Sequence, residues 1–138
     1  MSDESRLRLG LFAMRIGVVL LFLPWIAAKF LSPEAIQHVF AEFYFVDQLP
    51  VSVSYLLGGI QAVLVLGFLL GVFKFWTYGG VLVMHAVSTF STWEKLLAPG
   101  EDHNILFWAA VPALAAILAL FLVRDKDTFL TLKFGGGR

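Results

Sequence analysis

Four long runs of apolar side chains, separated by short polar clusters, set the pattern of this chain. The runs cover residues 9–30, 51–73, 76–93 and 105–123. A helix rises about 1.5 Å per residue and a hydrocarbon core is about 30 Å thick, so each run is close to the length that crosses a bilayer. The pattern predicts an all-α membrane protein with one domain over residues 1–138, folded as four transmembrane helices. Short connections make an up-down-up-down bundle the economical arrangement.

Between the first and second runs, Ser32-Pro33-Glu34 has the signature of a helix start: a serine cap, proline at the first helical position and a carboxylate near the positive dipole end. Ile36, Val39, Phe40 and Phe43 then recur at helical spacing, with Gln37, His38 and Glu42 on other faces. This predicts a short amphipathic helix lying in the outer interface as a lid. Pro24 predicts a kink near the outer end of the first run, where Trp25 suits an interfacial anchor and Lys29 can snorkel to the headgroups. The second run carries Gly67 and Gly71 in a small-xxx-small arrangement, and the third opens with Gly79 and Gly80. All four glycines are expected to let helices approach closely. The brief link between the second and third runs makes them an antiparallel hairpin.

Composition supports lipid as the main solvent: 59% of residues are hydrophobic and only 14% charged, below the quarter or so expected of a soluble domain. The formal net charge is zero, and without a basic stripe nucleic acid is excluded as a partner. No cysteine is present, which removes disulfides, iron–sulfur ligation and thiol chemistry by this chain. Residues 9–30 exceed the apolar core of a signal peptide and lack a small-residue cleavage pattern, so they are expected to remain as the first span. Arg6, Arg8, Lys74, Arg124, Lys126, Lys133 and Arg138 fall on one side of the runs, against Lys29 and Lys95 on the other. The positive-inside tendency then predicts a multi-pass protein of the plasma membrane, the inner membrane in a bacterium, with both termini cytoplasmic.

Few residues inside the runs can carry chemistry. Arg15, Gln61 and His85 are polar groups within the hydrocarbon zone, each expected to face the bundle interior, a water-filled cavity or a partner chain, with snorkelling at the cytoplasmic end the alternative for Arg15. Gln61 and His85 fall near mid-depth on consecutive antiparallel spans, so they are expected to share one interior site, extended towards the acidic side by Ser88, Thr89 and Thr92. A quinone, flat and apolar with two hydrogen-bonding oxygens, suits such a site. Haem is disfavoured because His38 and His103 lie outside the spans and leave His85 alone. Glu101, Asp102, His103 and Asn104 form a second cluster, either a cation site beside the lid or a solvated loop with Asn104 as a helix cap. No carboxylate lies inside the four runs, which disfavours a proton-coupled exporter as an alternative function.

The run Arg15-Ile16-Gly17 through Leu21-Phe22 to Lys29-Phe30 resembles the first span of the DoxX-like membrane proteins. Leu57-Gly58-Gly59-Ile60-Gln61, continued by Leu66-Gly67-Phe68-Leu69-Leu70-Gly71, is similar to that family's glycine-rich second span, and Met84-His85-Ala86 sits where its third span often carries polar residues. The resemblance covers roughly residues 9–123. It implies a small four-helix membrane protein, with some members linked to redox or oxidative-stress systems and one relative serving as the membrane subunit of a thiosulfate:quinone oxidoreductase. The chain departs from the pattern where Gln61 replaces a carboxylate and in having no cysteine, so the resemblance implies an accessory subunit rather than a catalyst. Expected partners are the lipid bilayer, a second copy of the chain or a redox protein; a non-catalytic assembly role is the remaining alternative.

Overall fold

The computed structural model describes residues 1–134 and is all-helical, with no strand among the described residues. Arg138, one of the basic residues counted above, lies outside them. Helix α1 spans Asp3–Leu31, α2 Pro33–Tyr44, α3 Val51–Leu70, α4 Lys74–Ser91, α5 Trp93–Leu97 and α6 Ala110–Leu122. A 3-10 stretch, Asn104–Ala109, leads into α6, and a short one, Arg124–Lys126, follows it. Helices α1 and α3, and the continuous stretch Asn104–Leu122, are long and apolar enough to cross a membrane. At 18 residues α4 has nearly the same length, but Lys74, Thr77, Tyr78, His85, Ser88 and Thr89 make it more polar than the others.

Local chemistry explains where the helices begin and end. The first starts well before the apolar run because the Ser2 hydroxyl accepts from the Ser5 amide at 3.2 Å, and Asp3 and Glu4 sit at the positive end of the dipole. Arg8 reaches back to Glu4 one turn earlier. Pro24 lies within this single continuous helix with its ring on the exposed face. The lid helix forms where the sequence places it, but the Ser32 hydroxyl makes no cap hydrogen bond; its carbonyl instead accepts from the Ala35 amide at 3.0 Å.

Helix α3 stops at Leu70 rather than running to residue 73. Gly71 takes a left-handed φ of 66°, and the Val72 amide donates to Gly67 O at 3.0 Å while the Gly71 amide donates to Phe68 O at 3.1 Å. That is a Schellman termination, which satisfies the last carbonyls of the helix and turns the chain. Gly71 therefore ends α3 and does not serve as a helix-packing point: a Cβ there would collide with the Thr131 side chain of the C-terminal segment and lie 3.1 Å from Arg15 Nη1. The other three glycines do allow close approach between helices. A Cβ at Gly67 would come within 2.7 Å of Thr77 on α4, one at Gly80 within 2.8 Å of Leu64 on α3, and one at Gly79 within 3.3 Å of Phe121 on α6.

Helix α1 packs on α3, α3 on α4, α4 on α6 and α6 back on α1, closing a ring around one core. Inward stripes recur at helical spacing, in steps of three, four or seven residues: Leu11, Arg15, Val18 and Phe22 on α1, Ser54, Gly58, Val65 and Phe68 on α3, Tyr78, Val81, His85 and Thr89 on α4. Outward positions such as Leu20, Leu23, Val63, Leu66, Val83, Val87, Leu118 and Leu122 are apolar and exposed. A surface of this kind suits lipid rather than water.

The end of the ring nearest the lid is closed by α2 and α5. Ile36 is buried, Gln37 Nε2 donates to Leu49 O at 2.7 Å, and the Phe43 ring meets Phe107 at a centroid distance of 5.9 Å. Lys95 on α5 pairs with Glu42 on α2 at 3.0 Å. The hydrogen bond and charge of the Glu42 carboxylate raise the Lys95 ammonium above its ordinary pKa.

Gly71→Ala is expected to lower stability by roughly 1–2 kcal/mol, because a Cβ is disfavoured in the left-handed region and the Thr131 contact must open. Gly59 has open space around it, so Gly59→Ala should be neutral or stabilising by up to about 1 kcal/mol. Thermal unfolding in detergent checks both; equal effects would contradict the assignment.

Candidate functional site

The polar residues of the interior fall into two groups at different depths. The first is built on Arg15, which is completely buried rather than snorkelling to the surface. Its Nη1 donates to Asp127 Oδ2 at 3.3 Å and to the Tyr78 hydroxyl oxygen at 3.4 Å. The Tyr78 hydroxyl in turn donates to the same carboxylate oxygen at 2.6 Å. Arg15 Nη2 donates to Phe129 O at 2.5 Å and to Leu130 O at 3.4 Å. Asp127 and Tyr78 are also fully buried. Arg15 Nε and Asp127 Oδ1 have no protein partner.

Asp127 reaches this position because the chain after α6 turns back across the end of the ring. Lys74 Nζ donates to Arg124 O at 3.1 Å and to Asp127 O at 2.5 Å, fixing the turn. Farther along, the Leu132 amide donates to Leu70 O at 2.8 Å. Phe129 packs edge-on to Phe12 at 5.1 Å and Phe134 stacks on Phe73 at 6.1 Å. Residues 124–134 thus form a strap held by a buried ion pair, main-chain hydrogen bonds and aromatic contacts. An unpartnered arginine in a low-dielectric interior is so unfavourable that this carboxylate is what allows Arg15 to stay inside.

The second group comprises the other polar residues that the sequence singles out on α3 and α4. Gln61 lies on α3 between Gly58 and Val65 and is half-buried, with its Oε1 buried and without a hydrogen-bond partner. His85 is buried on α4, with its ring edge-on to Phe22 at 6.2 Å and its Nε2 2.9 Å from Ala110 O. A carbonyl oxygen only accepts, so Nε2 carries a proton and donates to Ala110 O. Thr89 Oγ1 donates to His85 O at 2.7 Å and Thr92 Oγ1 to Thr89 O at 2.8 Å, so both hydroxyl protons are engaged by their own helix. Ser88 is exposed.

Lys29 is half-buried and donates back to Trp25 O at 3.3 Å, one turn earlier on α1. Its Cβ lies against Gly58, one turn from Gln61. The loop cluster before α6 plays a structural part: Asn104 is buried and its amide donates to Ala98 O at 3.0 Å, while Glu101, Asp102 and His103 are exposed. Among the described residues no group of three or more His, Cys, Asp or Glu side chains could hold a metal ion. Two grooves, of about 900 Å³ along α3 and about 320 Å³ between α1 and α6, are apolar, open to the outside and lined by neither Gln61 nor His85.

Sequence reasoning singled out His85, which is buried, and Gln61, which is half-buried, but missed Tyr78, Lys74 and Asp127. A signal was available. A charge within a span needs a counter-charge, and Asp125 and Asp127 are the carboxylates that follow the fourth run at the same end as Arg15.

Removing one member of the buried pair, by Arg15→Leu or Asp127→Ala, is expected to cost about 3–5 kcal/mol, because the other charge is left unpaired. The double substitution Arg15→Leu with Asp127→Leu should cost clearly less than the sum. Unfolding in detergent, arranged as a double-mutant cycle, checks this; strict additivity would show that the two charges do not depend on each other.

Comparison with known proteins adds no relative to this geometry: no family model, curated protein or solved structure matches the chain.

Proposed function

We propose that the chain is a four-span integral membrane protein with both termini cytoplasmic, acting as a non-catalytic membrane subunit of a redox or oxidative-stress-linked system. In this reading the bundle holds a quinone-type ring, or another apolar ligand of similar shape, beside Gln61 and His85. The observation that carries it is the buried, unpartnered Oε1 of Gln61, on α3, which packs against the helix that bears His85. Such an oxygen is unfavourable in a closed bundle and is relieved by a ligand hydrogen bond. The DoxX-like resemblance supports the same class of role.

The membrane topology rests on the ring of four helices and on charge. Arg6, Arg8, Lys74, Arg124, Lys126 and Lys133 lie at the strap end of the sequence pattern, against Lys29 and Lys95 at the other. Proton-coupled transport draws no support from Asp127, because that carboxylate is paired with Arg15 and Tyr78 beneath the strap.

Gln61→Leu tests the ligand reading. It should weaken binding of a short-tailed quinone–quinol couple by about 0.5–1.5 kcal/mol through loss of one hydrogen bond. It should leave thermal stability unchanged or raise it, because the bare acceptor is removed. Titration of the protein in lipid nanodiscs gives the first quantity and unfolding the second. Unaltered affinity in Gln61→Leu would contradict the reading.

A further inference from the structure

The outer face of α3 carries a groove of about 900 Å³ that runs from Tyr55, at the lid end, past Gly59, Val63 and Leu66 to Leu70 and Phe73 at the strap end. At about 1.5 Å per residue, the stretch from Tyr55 to Leu70 is roughly 22 Å long. That exceeds the half of a hydrocarbon core, about 15 Å, that the chains of one leaflet fill. The lining is apolar. A Cβ placed on Gly59 would meet no neighbouring group within 4 Å, so the missing side chain deepens the groove without serving a contact inside the fold.

The strap gives this groove a charged mouth. The Leu132 amide donates to Leu70 O at 2.8 Å, and the Phe134 ring stacks on Phe73 at 6.1 Å. Both neighbours of Lys133 are thus pinned to groove-lining residues, which sets Lys133 at the strap-end mouth. It is exposed, and among the described residues no carboxylate pairs with it. Lys74 follows Phe73 directly, and its Nζ donates to two carbonyls, Arg124 O and Asp127 O. An ammonium has three donors, so one N–H is left over. The carboxylates at this end are committed elsewhere: Asp3 and Glu4 pair with Arg6 and Arg8, and Asp127 pairs with Arg15. The exposed Asp125 stands between Arg124 and Lys126.

An apolar groove of acyl-chain length that opens onto ammonium groups fits a molecule with an apolar chain and an anionic head. We propose that it holds one anionic phospholipid from the leaflet at the strap end, with an acyl chain laid along α3 past Gly67 and Gly59 and the phosphate beside Lys133 and Lys74. A second copy of the chain fits less well. A two-fold contact between parallel copies through this face would bring both Lys133 ammonium groups to the same depth as like charges, and the exposed Phe73 and Phe134 rings project where the two helices would have to close. The site lies outside the ring of helices and does not depend on any ligand within it.

The test uses the full chain in mild detergent at low salt, titrated with dioleoyl phosphatidylglycerol, which is anionic, or dioleoyl phosphatidylcholine, which has the same chains and a zwitterionic head. Native mass spectrometry counts the bound lipid. Phosphatidylglycerol should bind about fivefold tighter, the gain that one basic residue gives at a membrane surface. Lys133→Gln, at a side chain without an ion pair in the fold, should lose most of that preference, as should the unaltered protein at high salt. Gly59→Leu fills the groove from a position with open space and should weaken both lipids. Glycerol phosphate, a head without chains, should displace neither. Equal affinity for the two lipids, or a preference unchanged in Lys133→Gln, would overturn the proposal. So would displacement by glycerol phosphate, which would mark a phosphate site without a chain groove, or a dimer that Gly59→Leu dissociates, which would mark a second copy as the occupant.

Discussion

A guanidinium completely buried among apolar helices sets the terms for the rest of this structure. Arg15 is fully buried, and it is satisfied by Asp127, the Tyr78 hydroxyl and the carbonyls of Phe129 and Leu130. No single helix could supply that set. Arg15 comes from α1 and Tyr78 from α4, while Asp127 and the carbonyls come from the strap after α6. The ion pair therefore ties three parts of the chain that are far apart in sequence. Helix α3 joins through Gly71, whose missing side chain leaves room for Thr131 and the Arg15 guanidinium.

The two ends of the ring are closed by different physics. At the strap end, charge and main-chain hydrogen bonds dominate, with Lys74 holding the turn that delivers Asp127. At the lid end the contacts are apolar, through Ile36 and the Phe43–Phe107 pair, with an exposed Lys95–Glu42 bridge at the rim. Exposed pairs of that kind contribute little, so the lid end is held mainly by packing. Between the two ends lie Gln61 on α3 and His85 on α4.

Most of the helical plan was legible in the sequence because it depends on periodicity. The apolar runs gave the helices, and Ser32-Pro33-Glu34 marked the start of the lid within a residue. Two kinds of feature were harder. Gly71 reads as a packing residue in a small-xxx-small pattern, and only its φ reveals a helix terminator. Asp127 reads as one more charge in a basic tail, and its burial follows from the strap folding back, a non-local event that no local pattern encodes. Likewise the polarity of α4 was plain, but which protons were already engaged depended on the backbone: the Thr89 and Thr92 hydroxyls turn to their own helix, and Ser88 points outward.

The dependence of the strap on the buried pair is the claim that most needs a direct measurement. Hydrogen exchange at the Leu132 amide, which donates to Leu70 O, reports whether the strap is docked. The account predicts that this amide is protected in the unaltered protein and loses its protection in both Arg15→Leu and Asp127→Ala, while amides in the middle of α3 stay protected. Protection of Leu132 unchanged in both variants would show that the aromatic contacts alone hold the strap, and that Arg15 is buried for some other reason.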